Sequence, residues 1–276
     1  MKIGIVGIGL IGGSLAKAYI ANGASVFGYD IDKDIIDFAK LSGALTGILD
    51  NNTIKDCDCI FLAVNPKDAV SYVEKTAREI EEKSIVIDCC GVKRYVCNKL
   101  FPLAREHGFT FVGGHPMAGS HTSGFKYSRA NLFKGAPMVL VPPVYDDINL
   151  IGRLEEILKP VGFGRYSITT AEKHDLVIAF TSQMAHIVSN AYVKSNTAGA
   201  HKGFSAGSYK DLTRVARLNA DMWSELCVEN SDFLVSELNT LISALTQYKN
   251  TLTAGDTNTL RALLNEGSAI KTKLDG

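Results

Sequence analysis

Residues 2–14 read KIGIVGIGLIGGS. Ile3, Ile5 and Val6 make a short apolar run of the kind that forms a strand buried on both faces. The run ends in Gly7-x-Gly9-x-x-Gly12, and Leu10 to Ala21 continues with helical character. A strand therefore feeds a glycine turn that opens a helix. Gly7 suits the tight turn, Gly9 lets the backbone approach a pyrophosphate, and Gly12 lets the helix pack closely on the strand. The first helical turn, with Leu10 and Ile11, offers unpaired N–H groups and a positive dipole end to an anion.

Working outward, ASVFGYD (24–30) reads as a second strand and Lys33 to Leu41 as a second helix. Asp30 lies 18 residues past Gly12, close to the ~20 expected for the carboxylate that bonds the adenosine ribose. A carboxylate there would repel a 2′-phosphate, which predicts NAD rather than NADP, although Lys33 works against a strict choice. Taken singly, the glycines are punctuation and Asp30 is a turn residue. Strand, loop, helix, strand and acid in this order make a dinucleotide site the better reading.

CDCIFLAV (57–64), SIVIDCC (84–90), FTFVGG (109–114) and MVLVPP (138–143) follow as further β-rich runs, mostly separated by charged, helix-compatible segments. The alternation predicts parallel strands with helical crossovers. After GRYSIT the pattern changes. From Thr170 onward apolar residues recur at three- and four-residue spacing, as in Leu176, Ala179, Phe180 and Met184, then Leu234, Leu238, Leu241 and Leu245. The expected fold class is α/β, with a Rossmann-type dinucleotide-binding domain at 1–168 and an all-helical substrate and dimerisation domain at 169–276. Residues 195–208, rich in Gly, Ser and Ala, are expected to form a loop.

Composition bounds the function. Hydrophobic residues make up 46% and charged residues 21%, and 29 basic residues balance 29 acidic ones. Neutrality gives no global attraction to nucleic acid or anionic membrane. The apolar N-terminus imitates a secretory signal, but its glycines are better explained by the turn. No other apolar run approaches the ~18 residues that would span a bilayer, so the expected location is cytoplasmic. The six cysteines form no CxxC pair and no zinc spacing with histidine, and read as reduced thiols in the core.

A nucleotide domain followed by a helical domain suggests hydride transfer in the cleft between them. Ligands of open α/β sheets collect beyond the carboxyl ends of the strands. FVGGHPMAGS (111–120) places His115 at such an end, after two glycines read as hinges. An imidazole there can take a hydroxyl proton as hydride leaves the same carbon.

GGHPMAGS…SGF resembles the signature of the prephenate/arogenate dehydrogenases, the oxidative step towards tyrosine. The likeness continues through DCCGVK (88–93), NLFKGAPMVLVP (131–142), HDLVIAFTSQMAHIVSNA (174–191), SYKDLTRVA (208–216) and MWSELCVEN (222–230). It implies His115 as the catalytic partner of the substrate hydroxyl and Arg214 as the anchor of a substrate carboxylate, assisted by Lys210. It also implies His186 and Ser120 as lining for the substrate, with Gly7, Gly9, Leu10, Ile11, Gly12, Asp30, Val64 and Gly91 around the cofactor. The chemistry requires no metal. His174 and Asp175 are expected to begin the long helix as contacts between domains.

Three departures stand out. Gly91 occupies a position where relatives often carry a serine that bonds the catalytic histidine, with Cys90 beside it. His121 stands where glutamate is common, and Gln183 where some members have histidine. The reading is an NAD-dependent dehydrogenase of prephenate. Arogenate is the first rival substrate. Another two-domain reductase, such as an imine reductase or a β-hydroxyacid dehydrogenase, and a non-catalytic NAD sensor are the further rivals. The leucine stripes at 238–245 and 260–264 predict a homodimer through the C-terminal helices, and no additional regulatory domain is expected.

Overall fold

A computed structural model of the chain describes residues 1–119 and 122–275. Among the described residues, eight strands form one sheet: β1 (Lys2–Val6), β2 (Ser25–Tyr29), β3 (Gly47–Ile48), β4 (Cys59–Leu62), β5 (Ile85–Asp88), β6 (Thr110–Pro116), β7 (Pro137–Val141) and β8 (Arg165–Ile168). Their order is β3-β2-β1-β4-β5-β6-β7-β8. The helices α1 (Leu10–Ala21), α2 (Lys33–Leu41), α3 (Pro66–Thr76), α4 (Arg94–His107) and α5 (Ile148–Leu158) cover the two faces. Alternation along the strands divides the side chains between two cores. Ile3, Ile5, Phe61, Ile85 and Ile87 lie on one face with α1 and α5. Val6, Ile60, Leu62 and Val86 lie on the other with α3 and α4. The chain reverses its progress across the sheet between β1 and β4, which makes the carboxyl ends of those strands the place where ligands gather.

One expectation is corrected. β1 to β6 pair in parallel, but β6 and β7 are antiparallel. The link between them stays at the carboxyl end of the sheet. It seats Phe125 against Gly13 of α1, and Lys17 Nζ donates to the Ser128 carbonyl at 2.8 Å. A strand entered from that end must run back beside β6. Parallel pairing would have required a crossover to the other end.

The two glycines before His115 are not hinges. Both are buried within β6, and a Cβ at Gly114 would lie 2.3 Å from the Asp88 carbonyl oxygen. They are small because the ends of β5 and β7 crowd that stretch of backbone.

From Ala171 onward the described residues form helices and connecting turns. α6 (Ala171–Ile178), a π turn (Ala179–Met184) and α7 (Ala185–Tyr192) make one continuous helix. α8 (Gly207–Thr213), α9 (Ala220–Glu229), α10 (Ser231–Ala254) and α11 (Thr257–Asp275) follow. Leu234 is the one buried residue of α10, and α11 has none among its described residues. Ile242, Leu245, Leu252, Leu264 and Ile270 are exposed. Among the described residues, no helix is long and apolar enough to cross a membrane.

The glycine loop separates packing from access. A Cβ at Gly12 would lie 1.9 Å from the Gly7 carbonyl oxygen, whereas one at Gly9 would meet nothing within 4 Å. Gly12→Ala is therefore expected to lower the thermal midpoint by about 2–10 °C, from an overpacking cost of ~1–3 kcal/mol. Gly9→Ala should leave the midpoint nearly unchanged. Paired thermal melts check both.

Candidate active site

The glycine loop is held from three sides. Gly7 has φ +87°, and its N–H donates to the Tyr29 carbonyl at 2.7 Å. A side chain there would strike Val64 and the Ala63 carbonyl, which fixes glycine at this turn. Asp30 does more than end β2. Its Oδ2 accepts from the Ile8 N–H at 2.7 Å and its Oδ1 from the Asp32 N–H at 3.0 Å, which ties the acid to the loop it serves. Leu10 and Ile11, half-buried, form the first turn of α1, and no side chain caps that turn at Gly9. Open space over Gly9, free amides and a neighbouring carboxylate fit the pyrophosphate and ribose of a dinucleotide. Val64 and Gly91 follow β4 and β5 on the same edge.

Three strands away, His115 pairs with Val139 in the antiparallel part of β6. The peptide before it is clamped. Gly114 N–H donates to Asp88 Oδ1 at 3.0 Å, and Lys93 Nζ donates to the Gly114 carbonyl at 2.6 Å. Lys93 and Asp88, both fully buried, also form an ion pair. Burial is the largest single influence and works to lower the Lys93 ammonium, but the charge and hydrogen bond of Asp88, together with Cys90 and Cys97, outweigh it and hold the group above its ordinary value.

The side chain of His115 is held by a chain of hydrogen bonds that begins in the helical region. Asp175 is buried at the start of α6. Its Oδ1 accepts from Lys93 N–H at 2.7 Å and its Oδ2 from Arg94 N–H at 2.8 Å, at the N-terminus of α4. Asp175 Oδ1 also lies 2.7 Å from His174 Nδ1, and His174 Nε2 lies 2.9 Å from His115 Nδ1. A carboxylate only accepts, so His174 Nδ1 donates to it. Neutral His174 then presents a lone pair at Nε2 and accepts from His115 Nδ1–H. His115 is left with its lone pair on Nε2. Burial pushes the His115 imidazole well below its ordinary value, helped by His174 and Lys93. Burial also lowers His174, opposed in part by Asp175. Burial alone would raise the Asp175 carboxyl, but the donors from His174, Arg94 and Lys93 hold it below the usual range.

The π turn explains Gln183. The extra residue in that turn is accommodated with Gln183 buried, donating to the Leu226 carbonyl at 2.8 Å and accepting from Asn230 Nδ2 at 2.8 Å. Asn230 Nδ2 also donates to the Asp175 carbonyl at 2.8 Å, and Asn230 Oδ1 accepts from Arg94 Nη2 at 2.9 Å. α9 reaches back to the nucleotide-binding side as well. Leu226 packs over Gly91, where a Cβ would come within 3.2 Å of it, and Glu225 accepts from Lys67 N–H at 2.9 Å. A serine at position 91 would require the Leu226 side chain to give by a few tenths of an ångström.

The remaining residues named from the sequence lie elsewhere. His186, half-buried on α7, donates from Nδ1 to the Val215 carbonyl at 3.0 Å, and its ring centre is 4.1 Å from that of Trp223. Lys210 and Arg214, one turn apart, are exposed, and neither side chain has a partner among the described residues. No direct contact joins these three to His115 among the described residues. Ser120 and His121 lie outside the described residues. The six cysteines are free thiols. Among the described residues, no group of three or more His, Cys, Asp or Glu is arranged to hold a metal ion.

Two family models account for most of the chain. Residues 15–166 match "Prephenate dehydrogenase, nucleotide-binding domain" and residues 170–266 match "Prephenate dehydrogenase, dimerization domain". The chain belongs to the prephenate dehydrogenase family. It is 30% identical to prephenate dehydrogenase of Bacillus subtilis (strain 168) over 243 residues, which is 83% of this chain and 64% of that protein's length. It is also similar to the crystal structure of Synechocystis arogenate dehydrogenase, with 26% identity, a TM-score of 0.81, and 99% and 100% of the two chains covered. A third likeness is to A. aeolicus prephenate dehydrogenase in complex with hydroxyphenyl propionate and NAD+. That match has 26% identity, a TM-score of 0.83, and 99% and 98% coverage. Relatives of both substrate types thus share this fold and this family.

The two lowered histidines have a consequence for stability. Between the folded and unfolded values the unfolded chain binds more protons, so stability falls as pH drops from about 6.5. Asp175 loses its contribution only below about pH 4. Urea unfolding at about pH 7.5, 6.5 and 5.5 is expected to show this loss, and His115→Gln is expected to make it shallower.

Proposed function

We propose that this chain oxidises and decarboxylates prephenate to 4-hydroxyphenylpyruvate with NAD. The observation that carries the reading is the relay from Asp175 through His174 to His115. It leaves the outer nitrogen of His115 as an acceptor, on a strand end at the same edge of the sheet as the glycine loop. Gly7, Gly9, Leu10, Ile11, Gly12, Asp30, Val64 and Gly91 would hold the dinucleotide. NAD, when bound, supplies the acceptor for hydride from the hydroxyl-bearing ring carbon.

His115 Nε2 takes the hydroxyl proton as that carbon is oxidised. Its lowered basicity keeps it neutral, and hence competent, down to mildly acidic pH. The relay acts mainly by orientation, since His174 prevents the imidazole from turning its N–H towards the substrate. The charge on Asp175 offsets part of the cost of a proton arriving on His115. The ring carboxylate of prephenate then departs as carbon dioxide and the ring becomes aromatic. Arg214 would bind a substrate carboxylate through a two-pronged contact, with Lys210 on the same helix face. Ser120 and His186 complete the proposed lining.

Charge favours prephenate over arogenate. Between residues 193 and 220 stand Lys194, Lys202, Lys210, Arg214 and Arg217, against Asp211 alone, in a chain that is neutral as a whole. Such a segment attracts a dianion and offers little to an ammonium group. Arogenate is the second reading, supported by the likeness to the Synechocystis enzyme. The exposed leucine and isoleucine side chains of α10 and α11 need a partner, and the match to a dimerization domain fits a homodimer. A cytoplasmic location suits a biosynthetic dehydrogenase of this kind.

Steady-state rates with both substrates and both cofactors should be highest for prephenate with NAD; faster turnover of arogenate would reverse the substrate assignment. His115→Asn should lower kcat by ~10²–10⁴ with little change in KM. Light scattering after size exclusion should give about twice the 29.8 kDa chain mass, and a monomer would refute the dimer.

A further inference from the structure

We infer that Ser189 and Asn190, with His186, form a cradle that positions Arg214. This inference rests on the reading of Arg214 as the substrate anchor. The three residues share one face of α7 by their i, i+3, i+4 spacing. Each donates to a backbone carbonyl of the segment that carries the arginine. Ser189 Oγ donates to Leu212 O at 2.6 Å, His186 Nδ1 to Val215 O at 3.0 Å, and Asn190 Nδ2 to Ala216 O at 3.0 Å. The bonds bracket residue 214 on both sides.

The segment needs such support. α8 has seven residues, none of them buried, and a helix this short is unstable without tertiary contacts. The last carbonyls of a helix have no partner inside it. Leu212 O is one of these, while Val215 and Ala216 lie in the irregular chain that leads to α9. Donors on α7 meet all three, and Ser189 is itself 1% exposed. α7 thus holds the backbone on both sides of the exposed Arg214. The cradle also assigns His186. Its Nδ1 is committed to Val215, and its ring rests against Trp223, so at most its Nε2 is left for substrate. Ser189 and Asn190 are positioning residues, since neither side chain is placed to touch the reacting atoms.

Ser189→Ala and Asn190→Ala should each raise KM for prephenate three- to tenfold, the range expected for one lost neutral hydrogen bond. Both should leave kcat and the KM for NAD within about twofold. Ser189→Thr, which keeps the hydroxyl, should restore much of the affinity. In an Arg214→Ala background, itself expected to raise KM, neither substitution should add further loss. Unchanged KM in the single variants, or full additivity with Arg214→Ala, overturns the inference. A second readout does not depend on turnover. Trypsin should cleave after Lys210 and Arg214 faster in the Ser189→Ala/Asn190→Ala double variant, with unchanged rates after Lys249 and Arg261. Equal rates at all sites overturn the cradle. If the wild-type chain oxidises neither substrate while these cleavages do accelerate, the cradle stands and the function proposed for Arg214 fails.

Discussion

The carboxylate of Asp175 is the constraint from which the site is built. It is fully buried, and it accepts from two backbone N–H groups at the start of α4 and from the ring of His174. A helix N-terminus stabilises a buried anion through its free amides and its dipole. The same contacts join the loop after β5 to the first turn of α6. One group therefore fixes the tautomer of a histidine and the docking of a helix. Removing a partner from a buried charge of this kind costs on the order of 3–5 kcal/mol, so the orientation of His115 and the junction between sheet and helices are hard to separate.

A second buried charge pair performs the complementary task on the backbone. Asp88 and Lys93 grip the N–H and the carbonyl of Gly114, which sets where β6 delivers His115. Position comes from the Asp88–Lys93 pair, and orientation from the His174–Asp175 pair. Gly91 belongs to the same economy of space. A Cβ at Gly91 would come within 3.2 Å of Leu226, so a side chain there needs Leu226 to give way by a few tenths of an ångström, while His174 holds the imidazole through Nδ1. Gln183 likewise has an architectural explanation, since the π turn buries it between Leu226 and Asn230.

Much of the fold was legible in particular residues. The bounds Leu10–Ala21 and Lys33–Leu41 were readable because glycine and aspartate punctuate the chain just before each helix. That the last strand ends at Ile168 and helices follow was readable because apolar spacing changes there from strand-like to helix-like. The direction of β7 was not readable. Nothing local in 117–136 says whether the chain will cross the sheet, since that depends on Phe125 finding its place against Gly13. The glycines before His115 were misread for a similar reason, because crowding by Asp88 and Met138 comes from other strands.

Local order in the chain determined the dinucleotide fingerprint, the acid at the end of β2, the histidine at a strand end and the helical second half. These depend on neighbours within a turn or a strand, where residue type and spacing act directly. Only the tertiary structure decided that His174, 59 residues after His115, would supply its hydrogen-bond partner. It alone bound Asp30 to the glycine loop and set three donors of α7 around Arg214. Hydrogen bonds between distant segments leave no periodic trace in a sequence, because each needs one compatible side chain at one place and nothing around it.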